Sequence, residues 1–166
     1  MVHAAVTPGA VHGTAVLVGP TGILLRGPSG SGKSMLALAL MERGAMLVAD
    51  DRVFLFPRSG RLIACPPTEI AGRIELRGAG ILSHPYEPAA LIRLVVDLVE
   101  PGDLERLPSD GELATHLAGI AVARQPVPAP GSAGRLEPAL MLVRHAVGKM
   151  RDCARDKALH LTLVSP

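Results

Sequence analysis

The chain has 166 residues, 48% hydrophobic and 19% charged, with a formal net charge of +2 from 17 basic and 15 acidic residues. That is one domain's length of chain with enough apolar side chains to bury a core, which excludes a disordered polymer. With 2% aromatics and no basic block, it is neither a base-stacking platform nor a surface for nucleic-acid backbone, and no run of about 18 apolar residues is present to cross a membrane.

In chain order, residues 11–18 and 23–26 read as strands joined by a Gly-Pro-Thr-Gly turn at 19–22. Residues 27–32 are glycine-rich. Residues 34–43 carry good helix formers, and Gly44 closes that helix. The apolar run 45–49 is a buried strand ending in Asp50-Asp51. Residues 53–56 and 61–64 form a hairpin, 74–82 holds strand pieces broken by Gly78 and Gly80, and 91–99 is a further strand. A polar connection covers 101–111, one or two strands fall within 113–127, and the Pro- and Gly-rich stretch 125–134 reads as a loop. Residues 137–156 form the clearest amphipathic helix, with Leu140, Val143, Val147 and Met150 at 3–4 spacing. The pattern predicts an α/β domain with a mixed, strand-rich sheet.

Cys65 and Cys153 supply neither a disulfide framework nor a zinc site, and the first ten residues lack the pattern of a secretory signal, so a reducing cytoplasm is expected. Only three of the 17 basic residues are lysines, so the placement of Lys33 carries information.

Gly27, Pro28, Ser29, Gly30, Ser31, Gly32, Lys33 and Ser34 match G-x-x-x-x-G-K-[ST] in full. Glycines let successive N–H groups turn toward phosphate oxygens, and the following helix adds its positive end. Lys33 is placed to reach the β- and γ-phosphates of ATP and Ser34 to ligate Mg²⁺. Ser29 and Ser31 are either further donors or small turn residues. Asp50 and Asp51 close a buried strand where ligands of open α/β sheets bind. Two carboxylates there can serve Mg²⁺ and proton abstraction, or cap the next element as a solvated turn. Strand alternation would send them in opposite directions, so they should not share one role.

These residues resemble a family, the catalytic domain of HPr kinase/phosphorylase, the bacterial serine kinase of the phosphocarrier HPr. The likeness is carried by His12-Gly13, the loop 27–34, Val48-Ala49-Asp50-Asp51-Arg52-Val53, and Ile74-Glu75-Leu76-Arg77-Gly78-Ala79-Gly80-Ile81. The last stretch is similar to the family's E-[IV]-R-G-x-G-[IL] signature. The resemblance implies a P-loop-containing, phosphoenolpyruvate-carboxykinase-like fold and assembly as a hexamer, while the composition already argues against a nucleic-acid or membrane partner. It implies that Lys33 binds phosphate, Ser34 and Glu75 ligate the metal, Asp51 takes the seryl proton, and His12 stands by the site. Asp50 and Arg77 are supporting candidates. Arg77 is alternatively a partner of the Glu75 carboxylate, and His12 a satisfied strand histidine.

Four departures bear on function. The longer family members carry an N-terminal domain, and here the whole chain is expected to be one catalytic domain, of the short type found in α-proteobacteria. Met35 stands where an acidic residue is usual. The late arginine-bearing segment is replaced by Pro126-Val127-Pro128-Ala129-Pro130-Gly131-Ser132, with Arg124 and Arg135 as the nearby arginines. The C-terminal segment implicated in dephosphorylation is not recognisable in 153–166. The expected activity is therefore an HPr serine kinase with weak or absent phosphorolysis. The alternatives are a small-molecule P-loop kinase and a non-catalytic nucleotide sensor.

Overall fold

The computed structural model describes residues 9–131 and 135–163. The expected α/β class is the one observed: eleven strands and two α-helices, with nine strands joined in one sheet. The predicted strand over 11–18 is two strands, β1 (Gly9–His12) and β2 (Thr14–Val18). They part at Gly13, where a Cβ would lie 2.8 Å from the Leu25 carbonyl oxygen. After Gly13 the chain changes neighbours. β1 pairs with β5 (Arg52–Arg58), while β2 lies antiparallel between β3 (Thr21–Arg26) and β4 (Met46–Ala49).

The centre of the sheet is the ten-residue β9 (Ala90–Val99). β3 runs parallel along one side of it. The other side is shared in succession by β6 (Arg61–Cys65), antiparallel at Ala90 to Ile92, and β11 (Ile120–Pro128), parallel at Leu94 to Val99. β10 (Ala114–Leu117) closes a hairpin on β11, and β7 (Arg73–Leu76) with β8 (Gly80–Ser83) forms a separate two-stranded ribbon.

The expected loop over 125–134 is overturned in its first part, because residues 125–128 are the end of β11. Proline is tolerated there for a geometric reason. Arg124 N–H donates outward to Leu113 O and Ala129 N–H donates inward to Val99 O, so even-numbered positions point away from β9. Pro126 and Pro128 sit where no ladder donor is needed. Residues 132–134, the end of the predicted loop, lie outside the described residues, as do 164–166.

Alternation along β3 divides the core. Ile23 and Leu25 face the helices α1 (Lys33–Met41) and α2 (Leu136–Leu163), packing with Leu36, Leu40, Leu140 and Val143. Leu24 faces the other way, among Val48, Val53, Leu62 and Val95. A central strand buried on both faces reads as a continuous apolar run, as Ile23, Leu24 and Leu25 do, all three fully buried. On the second face β2 touches β5 and β4 touches β6 although neither pair is hydrogen-bonded, so the sheet folds over this core. The arrangement puts the carboxyl ends of β3 and β4 beside the start of α1.

Candidate active site

β3 ends at Arg26 and α1 starts at Lys33, so Gly27 to Gly32 must reverse the chain in six residues. Gly30 and Gly32 do this at φ of 80° and 96°, a region that strongly favours glycine. No side chain caps the helix at Gly32, so the first-turn amides keep free donors. Lys33 folds back over the loop, with Nζ donating to Gly27 O at 2.8 Å and Pro28 O at 3.0 Å. Burial pushes its ammonium below the ordinary value of 10.5, while the charges of Asp50 and Asp51 oppose that shift. Ser31 is buried with its hydroxyl unpartnered among the described residues, so it faces the back of the loop.

The two aspartates part company. Asp50 is 6% exposed and is held by three neutral donors. Thr14 Oγ1 donates to Oδ1 at 2.7 Å, Ser34 Oγ to the same oxygen at 3.0 Å, and Glu75 N–H to Oδ2 at 3.0 Å. A carboxylate only accepts, so Ser34 commits its proton to Asp50 and keeps its lone pairs for a cation. Asp51 faces out, with its side chain 77% exposed. The cause is not strand alternation, because β4 has already ended at Ala49. Asp51 has φ 67°, and Arg52 N–H donates across it to Asp50 O at 2.8 Å in a three-residue turn. Such a backbone costs about 1–3 kcal/mol and persists only where its surroundings hold it.

The hold comes from β1. Pairing of β1 with β5 sets His12 opposite Arg52. His12 Nδ1 then lies 2.9 Å from Asp51 O and 3.3 Å from Asp51 Oδ1, and Gly13 N–H donates to the same carbonyl at 3.2 Å. Since a carbonyl only accepts, Nδ1 carries the hydrogen in this contact.

One cleft of about 270 Å³ joins these parts. The loop contributes Ser29, Gly30, Gly32, Lys33 and Ser34, the strand ends contribute His12, Asp50 and Asp51, and the β7–β8 ribbon contributes Glu75 and Arg77. Gly27, Pro28 and Ser31 form the loop without lining the cleft. Among the described residues no group of three or more His, Cys, Asp or Glu side chains could hold a metal. The donor set does fit Mg²⁺, which is bound through one or two protein oxygens plus substrate phosphates and water.

Three features were not foreseen. Thr14 anchors Asp50 from the start of β2, and nothing in its sequence context announces that role. Gly131 lines the cleft, and its N–H donates to Ser31 O at 2.9 Å. A Cβ there would lie 2.0 Å from Gly30 O, so the stretch after β11 is packed directly on the loop. Arg124, one of two nearby arginines, is already committed: its Nε donates to Asp97 Oδ2 and its Nη1 to Glu112 O at 2.8 Å. Arg26 grips the same carboxylate at 2.7 and 2.8 Å. Arg135 stands exposed immediately before α2.

The fold and this cleft define an α/β protein with a P-loop at the carboxyl end of a central parallel strand. Residues 5–136 match the family described as the HPr Serine kinase C-terminal domain, and the chain belongs to that family. The HPr kinase/phosphorylase of Clostridium beijerinckii is 37% identical over 150 residues, covering 82% of this chain and 49% of that protein. That of Limosilactobacillus reuteri is 33% identical over 129 residues, covering 71% and 40%. The solved Hpr(Ser) kinase/phosphatase from Coxiella burnetii superposes with a TM-score of 0.76 at 27% identity, over 92% of this chain and 98% of that one. The chain thus spans about half the length, or less, of these curated relatives.

Proposed function

We propose that this chain is the catalytic unit of an ATP- and Mg²⁺-dependent protein kinase that phosphorylates a seryl hydroxyl of an HPr-like phosphocarrier. The observation that carries the proposal is the opposite exposure of Asp50 and Asp51 in one cleft with Lys33 and Ser34. The loop amides and Lys33 bind the phosphates of ATP. Ser34 and Asp50 hold the metal, with the Glu75 carboxylate as a further oxygen in the same cleft. Mg²⁺, when bound, neutralises charge on the phosphates. Asp51 accepts the seryl proton as the serine oxygen bonds to the γ-phosphorus and ADP leaves with the bridging oxygen. His12 holds the Asp51 turn so that its carboxylate points at the incoming hydroxyl.

The exposure of the reactive edge supports a protein substrate over a small one. The side chains of His12 and Asp51 are 54% and 77% exposed, and no described residue walls them off. A serine projecting from another protein can reach such an edge. A small molecule would need enclosing contacts to be held there.

The test incubates the chain with purified HPr, ATP and Mg²⁺ and reads the HPr mass. One added phosphate at a serine supports the reading. Nucleotide binding without added phosphate would make the chain a sensor, and phosphorylation of small hydroxyl compounds alone would make it a small-molecule kinase. Assembly as a homo-hexamer is part of the proposal, supported by a composition in which 48% of residues are hydrophobic and by the exposed Ile81, Leu107 and Met141. A monomer mass by light scattering at micromolar concentration would remove it. No helix among the described residues is long and apolar enough to cross a membrane.

A further inference from the structure

Arg77 sits at the turn between β7 and β8, where Ala79 N–H donates to Leu76 O at 3.0 Å. Both its terminal nitrogens lie 3.9 Å from the point a Cβ on Gly30 would occupy, so the guanidinium stands over the middle of the loop. It lines the same cleft as Lys33 and Asp51. Among the described residues it makes no hydrogen bond or ion pair, which separates it from the alternative of a fixed partner for Glu75. Arg26 and Arg124, by contrast, share Asp97, and Arg43 reaches Glu137, whereas Arg77 is the arginine that lines the cleft among the described residues.

The ribbon behind Arg77 is anchored. Ile74 is buried in the helix-side core, Glu75 N–H holds Asp50, and His84 N–H donates to Gly72 O at 2.8 Å. The same short strand therefore fixes the buried carboxylate that orients Ser34 and carries a guanidinium to the far side of the loop. A planar, permanently charged group with five donors and no acceptor in the protein matches an anionic oxygen cluster. Loop amides surround the inner phosphates of a nucleotide, so a cation standing over the loop meets the group projecting from it.

We propose that Arg77 binds the terminal phosphate of the nucleotide and makes the site read a triphosphate against a diphosphate. This rests on the kinase reading above for the nucleotide but concerns binding, which can be measured without turnover. Arg77 is exposed at a ribbon turn, so its substitution removes no core contact.

The experiment measures ATP and ADP affinities by displacement of a fluorescent nucleotide, for the wild type, Arg77→Gln, Arg77→Lys and Lys33→Ala. Arg77→Gln is expected to weaken ATP about tenfold and ADP less than twofold. Arg77→Lys restores the charge but not the two-pronged geometry and should fall between. Lys33→Ala should weaken both nucleotides. Equal losses for ATP and ADP in Arg77→Gln, or none, would overturn the proposal while leaving the loop assignment intact. A wild type that binds neither nucleotide overturns the kinase reading and this proposal with it. Loss of fold in both Arg77 variants, read by circular dichroism, would show a structural residue and overturn it as well.

Discussion

The hydroxyl of Ser34 lies 3.0 Å from Oδ1 of Asp50, a carboxylate 6% exposed that also accepts from Thr14 and from the Glu75 amide. This contact ties the first turn of α1 to the end of β4 and to the β7–β8 ribbon, so one side chain coordinates three elements. Removing it leaves the buried Thr14 hydroxyl without an acceptor, at a cost of about 1–3 kcal/mol, and releases two part-buried donors.

The two aspartates should therefore separate experimentally. Asp51→Asn should retain nucleotide affinity and Tm while transfer to the seryl hydroxyl falls at least about 10²-fold, the scale of a general base. Asp50→Asn presents amide hydrogens to donors and should lower Tm and raise the Mg²⁺ concentration needed for half-maximal rate. Comparing rate, Mg²⁺ dependence and Tm of the two variants checks this. The reverse pattern would exchange their roles.

Lys33→Ala should abolish transfer and weaken nucleotide binding while the chain stays folded. The ammonium donates to Gly27 O and Pro28 O in this conformation, so its removal also frees two carbonyls and should loosen the loop by about 1 kcal/mol. Calorimetric titration with nucleotide alongside thermal melting reads both effects. Wild-type affinity would place the phosphates elsewhere.

Gly131→Ala tests the contact that no motif announces. Its methyl group would meet the backbone of Gly30 at 2.0 Å, and a carbonyl in a tight loop cannot swing aside as a flexible side chain would. The Gly131–Ser31 hydrogen bond should break, lowering Tm and nucleotide affinity together. Unchanged affinity would show that the segment after β11 does not shape the loop.

The parts of the site that were legible are those in which local chemistry dictates residue type. A six-residue reversal onto a helix demands glycines, and Lys33 and Ser34 follow at fixed spacing. Asp50 and Asp51 were legible as a pair at a strand end, but their opposite fates come from the left-handed backbone of Asp51 and from β1, neither of which leaves a local mark. Thr14 and Gly131 act through partners 36 residues or more away in sequence, where periodicity carries nothing. The β11 prolines misled for a related reason: composition argued for a loop, while the pairing direction of each N–H, set by β9, allowed a strand.

Asp97 gives a pH signature independent of activity. Burial alone would push its carboxyl up, but hydrogen bonds from Arg26 and Arg124, with their charges, outweigh that and hold it below the ordinary value of 3.8. A carboxylate depressed in the folded state contributes stability that is present above its unfolded pKa and lost as pH falls through the folded one. The wild type should lose Tm steeply below about pH 4. Asp97→Asn should start from a lower Tm and show a flatter acid limb. Parallel acid limbs would mean that the Arg26–Asp97–Arg124 group contributes no linkage.

The final prediction concerns direction. Phosphorolysis removes the seryl phosphate by attack of inorganic phosphate and releases pyrophosphate, so free phosphate must be held without a nucleoside to help. Charge-assisted donors have to supply that affinity. The stretch packed on the loop offers Pro128, Ala129, Pro130 and Gly131, none of them a cation, and Arg124 is bound to Asp97 and to the Glu112 carbonyl. Lys33 and Arg77 remain in the cleft, and in the proposed forward reaction they would meet phosphates already tethered to a nucleoside. Phosphorylated HPr incubated with the chain, millimolar phosphate and Mg²⁺, without ATP, should therefore lose its seryl phosphate slowly or not at all. The same preparation should phosphorylate HPr readily when ATP is supplied. Rapid dephosphorylation with stoichiometric pyrophosphate would show that a further cation reaches the cleft, and Arg135, exposed just before α2, is the residue to substitute next.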